Sequence, residues 1–207
     1  MRLRITFAKT GSLRYIGHLD LHQVWERTVR RAGLPLAYTQ GFHPGPKIQI
    51  AAALPLGFIG RAELVDIWLN ETDVEYPFRE LLQSSAPPGL LLLSVEPVDE
   101  RSPALQTQVV AAAYEVQILE AGSRSGLEEK VAELLGRSSL PRERRGKAYD
   151  LRPLIQSLEC RAGSLHMVLS AREGATGRPE EVLAELGIPP EQARIERTRL
   201  VFNSGVE

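Results

Sequence analysis

Apolar residues at positions 3, 5 and 7 alternate with Arg2, Arg4 and Thr6, the period of a half-buried strand, and Gly11 breaks the run. From Asp20 the period changes. Leu21, Val24, Trp25, Thr28, Val29 and Ala32 lie on one helical face, Asp20 and Gln23 have capping-box spacing, and Gly33 with Pro35 stops the helix. Glu26, Arg27, Arg30 and Arg31 fall on its opposite face. Ile48, Ile50 and Ala52 predict a second strand, and Pro55-Leu56-Gly57 turns the chain into a third with Val65, Ile67 and Leu69 inward, forming a hairpin. A short helix after Pro77 and an apolar strand from Leu90 to Val95 complete the order strand, helix, strand, strand, helix, strand.

The order then repeats. After a proline-containing linker at 99–110, Tyr114, Val116 and Ile118 alternate as a strand. Ser125 and Glu128 frame a second capping box for a helix with Leu127, Val131, Leu134 and Leu135 inward, ending at Gly136. A basic segment follows, then a strand with Leu165, Met167 and Leu169 inward, a helix opened by Pro179 and stopped at Gly187, and a last strand over 193–202. The fold expected is α+β: two tandem ferredoxin-like (βαββαβ) units, 1–98 and 111–207.

Composition changes little in this picture, but charge distribution does. The net charge is -1, yet residues 1–50 carry eight Lys or Arg against Asp20 and Glu26, and residues 137–152 carry six against Glu143 and Asp150. Two basic segments suggest an anion site if they meet in space. The single cysteine, Cys160, provides neither an internal disulfide nor a multi-cysteine metal or iron–sulfur site. With no long apolar run and no basic cap before an apolar block, a cytoplasmic protein without a membrane segment is expected.

Chemistry-bearing residues concentrate between Arg14 and Gly57. His18, Asp20 and His22 form His-x-Asp-x-His, but Asp20 is wanted as a cap and residues two apart on a helix diverge, so no metal and no cofactor is expected. His18 sits where unpaired first-turn amides and the positive helix end favour an anion. The loop Gln40-Gly41-Phe42-His43-Pro44-Gly45-Pro46-Lys47 adds an aromatic ring, an imidazole and an ammonium, which suits a phosphate-bearing ligand with a stackable base. The expected binding surface therefore comprises Arg14, His18, Gln40, Gly41, Phe42, His43 and Lys47, with a second wall from Arg144, Arg145, Lys147 and Arg152. His18 and His43 are the candidates for acid/base chemistry, since either can titrate near neutrality. Asp150 has a structural alternative as the cap of the turn that follows it, whereas the neighbouring arginines have no evident internal need.

The blocks FAKTGSLRYIGHLDL (7–21), RRAGLPLAYTQGFHPGPKIQIAAALPLG (30–57), Glu63 and Asp66, RERRGKAYDLRPLI (142–155) and GRPEEVLAEL (177–186) resemble the radical SAM-linked family, proteins of unknown function encoded beside or fused to radical SAM proteins. In that family serine is usual where Gly17 stands, and a basic residue or histidine is common where Gly45 stands. The resemblance implies a radical SAM partner. This chain lacks the C-x-x-x-C-x-x-C motif, so it implies an accessory role: binding a substrate, RNA or another polyanion, in a basic cleft. The tandem fold is also similar to RNA-binding repeat proteins of CRISPR systems, some of them metal-independent, histidine-dependent endoribonucleases, which makes RNA processing the enzymatic alternative. A third possibility is a protein–protein adaptor docking through Arg27, Arg30 and Arg31.

Overall fold

The first strand of the computed structural model, β1 (Arg2–Lys9), is the centre of an antiparallel sheet; the structure describes residues 1–70, 76–120 and 126–203. The chain divides into two compact units, Met1–Gln108 and Val109–Glu207.

In the first unit β1 is followed by a 3-10 turn (Gly11–Tyr15), helix α1 (His18–Arg31), β2 (Ile48–Ile50), β3 (Ile59–Trp68), α2 (Phe78–Ser85), β4 (Leu90–Val98) and the single-turn α3 (Leu105–Gln108). The strands run β2-β3-β1-β4, every pair antiparallel. Alternation does what it predicts: Leu3, Ile5, Phe7, Val65 and Ile67 enter one core with Leu21, Trp25 and Val29 of α1. Phe7 and Trp25 meet edge-to-face, centroids 5.0 Å apart.

The start of α1 differs from expectation. The helix begins at His18 with Gly17 as its N-cap, so Asp20 is the third helical residue and its Oδ2 accepts the Gly17 N–H at 3.3 Å. A glycine has no side chain to return the favour, so half of a capping box is made.

The polar faces of β1 and β3 carry a buried charge network. Arg2 and Arg4 both reach Asp66: Arg2 through Nε at 2.9 Å and Nη2 at 2.5 Å, Arg4 through Nε at 2.9 Å and Nη2 at 3.0 Å. Arg2 also donates to the carbonyls of Ser102 and Pro103, and the Leu105 N–H donates to Gln49 Oε1 at 2.6 Å. Most of the segment expected to be a linker is thereby tied to the first unit.

The second unit has β5 (Val109–Ile118), α4 (Leu127–Gly136), β6 (Pro141–Arg144), β7 (Lys147–Asp150), β8 (Ile155–Arg161), β9 (Ser164–Arg172), the two-residue β10 (Ala175–Thr176), α5 (Pro179–Glu185) and β11 (Ala193–Phe202). Its main sheet runs β8-β9-β5-β11, again antiparallel, with β10 beside the end of β9. Two elements depart from expectation. The basic segment is a two-stranded hairpin, β6–β7, turning at Arg145 and Gly146, whose φ values of 52° and 75° make the left-handed turn. It is followed by a strand, β8, that the pattern had not separated from it. The capping residue expected at Ser125 lies outside the described residues; Gly126 is the N-cap of α4.

Candidate functional site

Helix α1 and the loop before β2 form the part of the first unit richest in polar side chains. His18 and His22, four residues apart, share one side of the helix. His22 Nε2 lies 3.2 Å from the Ile48 carbonyl, to which it can donate. Although the His18 side chain is exposed, local desolvation lowers its pKa, and the proximity of His22 lowers it further. Both effects favour the neutral imidazole of His18. Asp20 turns back to Gly17 and does not join the two imidazoles; among the described residues no three His, Cys, Asp or Glu side chains are grouped to hold a metal ion.

An NMR titration checks this arrangement. His18 is expected to titrate below the ordinary value of about 6.5, and His22→Gln to move its midpoint part of the way back. Because the folded-state value is the lower one, the unfolded chain takes up the proton first, and stability declines as pH falls through that interval. A His18 midpoint at or above the ordinary value contradicts the packing described.

One turn beyond His22, Glu26 Oε1 accepts a 3.5 Å hydrogen bond from Tyr38 Oη, at the base of the loop. Thr39 N–H donates to the Gly45 carbonyl at 2.8 Å, Gly45 N–H returns to Thr39 Oγ1 at 3.0 Å, and Lys47 N–H donates to the Ala37 carbonyl at 2.8 Å. These bonds close a short neck and project Gln40, Gly41, Phe42 and His43 into solvent; Gly41 has φ 137°, which favours glycine. Phe42 is 101% exposed. An aromatic ring held fully in water on a hydrogen-bonded neck has no packing role within the described fold.

Lys47 does not share this surface. Ile50 enters the core and Gln49 bonds Leu105 on the other face, so the two-residue period of β2 puts Lys47 with Gln49. There its charge helps hold the Glu100 carboxyl below its usual range, after the larger effect of the N-terminal ammonium 2.6 Å from Glu100. Arg14, in the turn before α1, stacks on its neighbour Tyr15 with 4.6 Å between guanidinium and ring centroid.

The second unit corrects the reading of the basic segment. Most of its arginines do have internal partners. Arg142 pairs with Glu185 at 2.8 Å and donates to the Glu181 carbonyl; Arg144 pairs with Glu181 at 2.7 Å, donates to the Thr176 carbonyl and lies 4.7 Å over Tyr149. Arg152 donates to the Leu135 and Arg137 carbonyls. Asp150 performs the capping job expected of it, accepting from the Leu140 and Arg152 N–H groups, which pull its carboxyl below the usual range. Arg144, Lys147, Tyr149, Leu154 and Thr176 line a hollow of about 320 Å³. Only Arg145 and Lys147, flanking Gly146 at the hairpin tip, have no partner among the described residues. Glu181 and Glu185, some forty positions later, pair with Arg142 and Arg144, and no local pattern announces that.

A feature the sequence under-weighted lies on α1. Arg27, Arg30 and Arg31 line a hollow of about 420 Å³; their i, i+3, i+4 spacing was the available signal.

Comparison with known proteins adds one finding. The family described as "Uncharacterized protein conserved in bacteria (DUF2344)" matches residues 2–179, most of the chain. The chain belongs to that family. Its matched span contains α1, the Phe42 loop, the Asp66 network and the basic hairpin, and ends where α5 begins. No curated protein matches. No helix among the described residues is long and apolar enough to cross a membrane.

Proposed function

We propose that this DUF2344 protein is an accessory substrate-binding protein of the cytoplasm that acts beside a radical SAM partner and holds RNA or another polyanion. The observation that carries the binding role is Phe42: a fully exposed ring on a closed neck, with Gln40 and His43 beside it, is a platform on which a base can stack. The strand orders β2-β3-β1-β4 and β8-β9-β5-β11, each with helices in the two crossover positions, support reading both units as ferredoxin-like. That architecture is one on which single-stranded RNA recognition is built elsewhere, an argument by analogy of fold. The radical SAM partner rests on the sequence resemblance.

Binding of a labelled single-stranded oligoribonucleotide, followed by fluorescence anisotropy, tests the proposal. Phe42→Ala is expected to weaken binding by about 1–3 kcal/mol per stacked base, roughly 5- to 150-fold, with little effect on folding. Unchanged affinity would remove the platform from the account, and absence of binding to the native chain would remove RNA. Recovery of intact RNA agrees with a binding role. Cleavage that disappears in His18→Ala would replace it with the histidine-dependent enzymatic one.

A further inference from the structure

Arg142, Arg144 and Arg152 of the second unit each have a carboxylate or carbonyl partner at 3.0 Å or closer, whereas the partners of the α1 arginines are more distant or missing among the described residues. Arg30 has Glu26 at 3.8 Å, with two-thirds of its side chain exposed, and Arg31 Nε donates at 3.3 Å to the Arg27 carbonyl. The Arg27 guanidinium has no partner among the described residues. Arg27 and Arg31 are four apart, a separation at which like charges on a helix repel. The helix end explains part of this, since Arg30 and Arg31 lie in the last turn and face its negative pole. It explains neither Arg27 nor why all three line one open hollow of about 420 Å³.

The hollow and the exposed ring belong to neighbouring structure. Glu26, which precedes Arg27, is bonded by Tyr38 at the base of the Phe42 loop, and Tyr38 is itself 39% exposed. Guanidinium forks match phosphate oxygens in paired hydrogen bonds, and aromatic rings take bases. We infer that Arg27, Arg30 and Arg31 form the phosphate-binding site for a single-stranded nucleic acid whose bases approach the Phe42 loop. This deepens the proposed function and rests on it for the nucleic-acid ligand, but not for the anion site itself.

The test compares the native chain, Phe42→Ala and the triple variant Arg27→Gln/Arg30→Gln/Arg31→Gln, after circular dichroism has shown that each folds. Affinity for a fluorescent oligouridylate is measured across a series of salt concentrations. Three phosphate contacts contribute a slope of about 2 in log affinity against log salt, so the triple variant is expected to lose about that much slope. Phe42→Ala is expected to lose affinity at unchanged slope. A triple variant with the native slope overturns the arginine site and leaves the Phe42 reading standing. Conversely, inorganic tripolyphosphate that shifts the α1 amide resonances of the native chain and not of the triple variant supports the site even if oligouridylate does not bind. Equal slope loss with an oligoglutamate peptide, without oligouridylate binding, would assign the arginines to an acidic protein segment and overturn the nucleic-acid inference.

Discussion

Asp66→Ala is expected to destabilise the first unit by about 3–5 kcal/mol, the cost of leaving a buried charge without its partner. Asp66 is fully buried and Arg2 is 1% exposed. Removing the carboxylate deletes both Arg2–Asp66 bonds and both Arg4–Asp66 bonds while leaving the Arg2 guanidinium dry, over the Trp68 ring at 4.8 Å. Its remaining acceptors, the Ser102 and Pro103 carbonyls, carry no net charge to balance it. Urea denaturation reads the effect as a lower midpoint at similar slope. Asp66→Asn, which keeps one acceptor oxygen and the volume, should lose less than Asp66→Ala. Equal stability of Asp66→Ala and the native chain would show that the network is not the support described.

Trp25→Ala is expected to cost a similar amount, about 3–5 kcal/mol, through a different mechanism. Trp25 is fully buried, packed edge-on to Phe7 in the cluster that joins α1 to β1 and β3. Alanine removes the ring contact and leaves a cavity that a close-packed core cannot fill without strain. The indole N–H has no hydrogen-bond partner among the described residues, so a buried donor is left unpaired by them. Trp25→Phe, which deletes that donor and keeps most of the volume, should therefore cost much less than Trp25→Ala. Denaturation of the two variants side by side separates volume from polarity; a Phe variant as unstable as the Ala variant would contradict it. Because α1 also carries His18, His22 and the arginine hollow, loss of Trp25 should loosen the candidate site together with the core.

The main-sheet strands were legible where side chains alternate cleanly, as at Leu3, Ile5 and Phe7 or at Leu165, Met167 and Leu169. β8 was not, and the reason is local. Its register against β9 slips between Ile155 and Ser157, so its buried residues, Ile155 and Leu158, stand three apart and break the two-residue period. The β6–β7 hairpin escaped because it has almost no apolar residue to reveal a period. Arg142 and Arg144 instead hold it against Glu185 and Glu181 of α5. The start of α1 was misplaced because Asp20 and Gln23 imitate a capping box that Gly17 and Asp20 only half make.

By itself the sequence determined the alternation of strands and helices, the core faces of β1 and α1, and the concentration of chemically useful residues between Arg14 and Gly57. These follow from periodicity and residue type, which are properties of short segments. Tertiary structure decided which charges are already spent. It placed Asp66 between Arg2 and Arg4, matched the hairpin arginines to glutamates of α5, and turned Lys47 to the face of Gln49. It left Phe42 in solvent and three α1 arginines around one hollow. Whether a charge is compensated depends on groups distant in sequence and close in space, which no local pattern encodes.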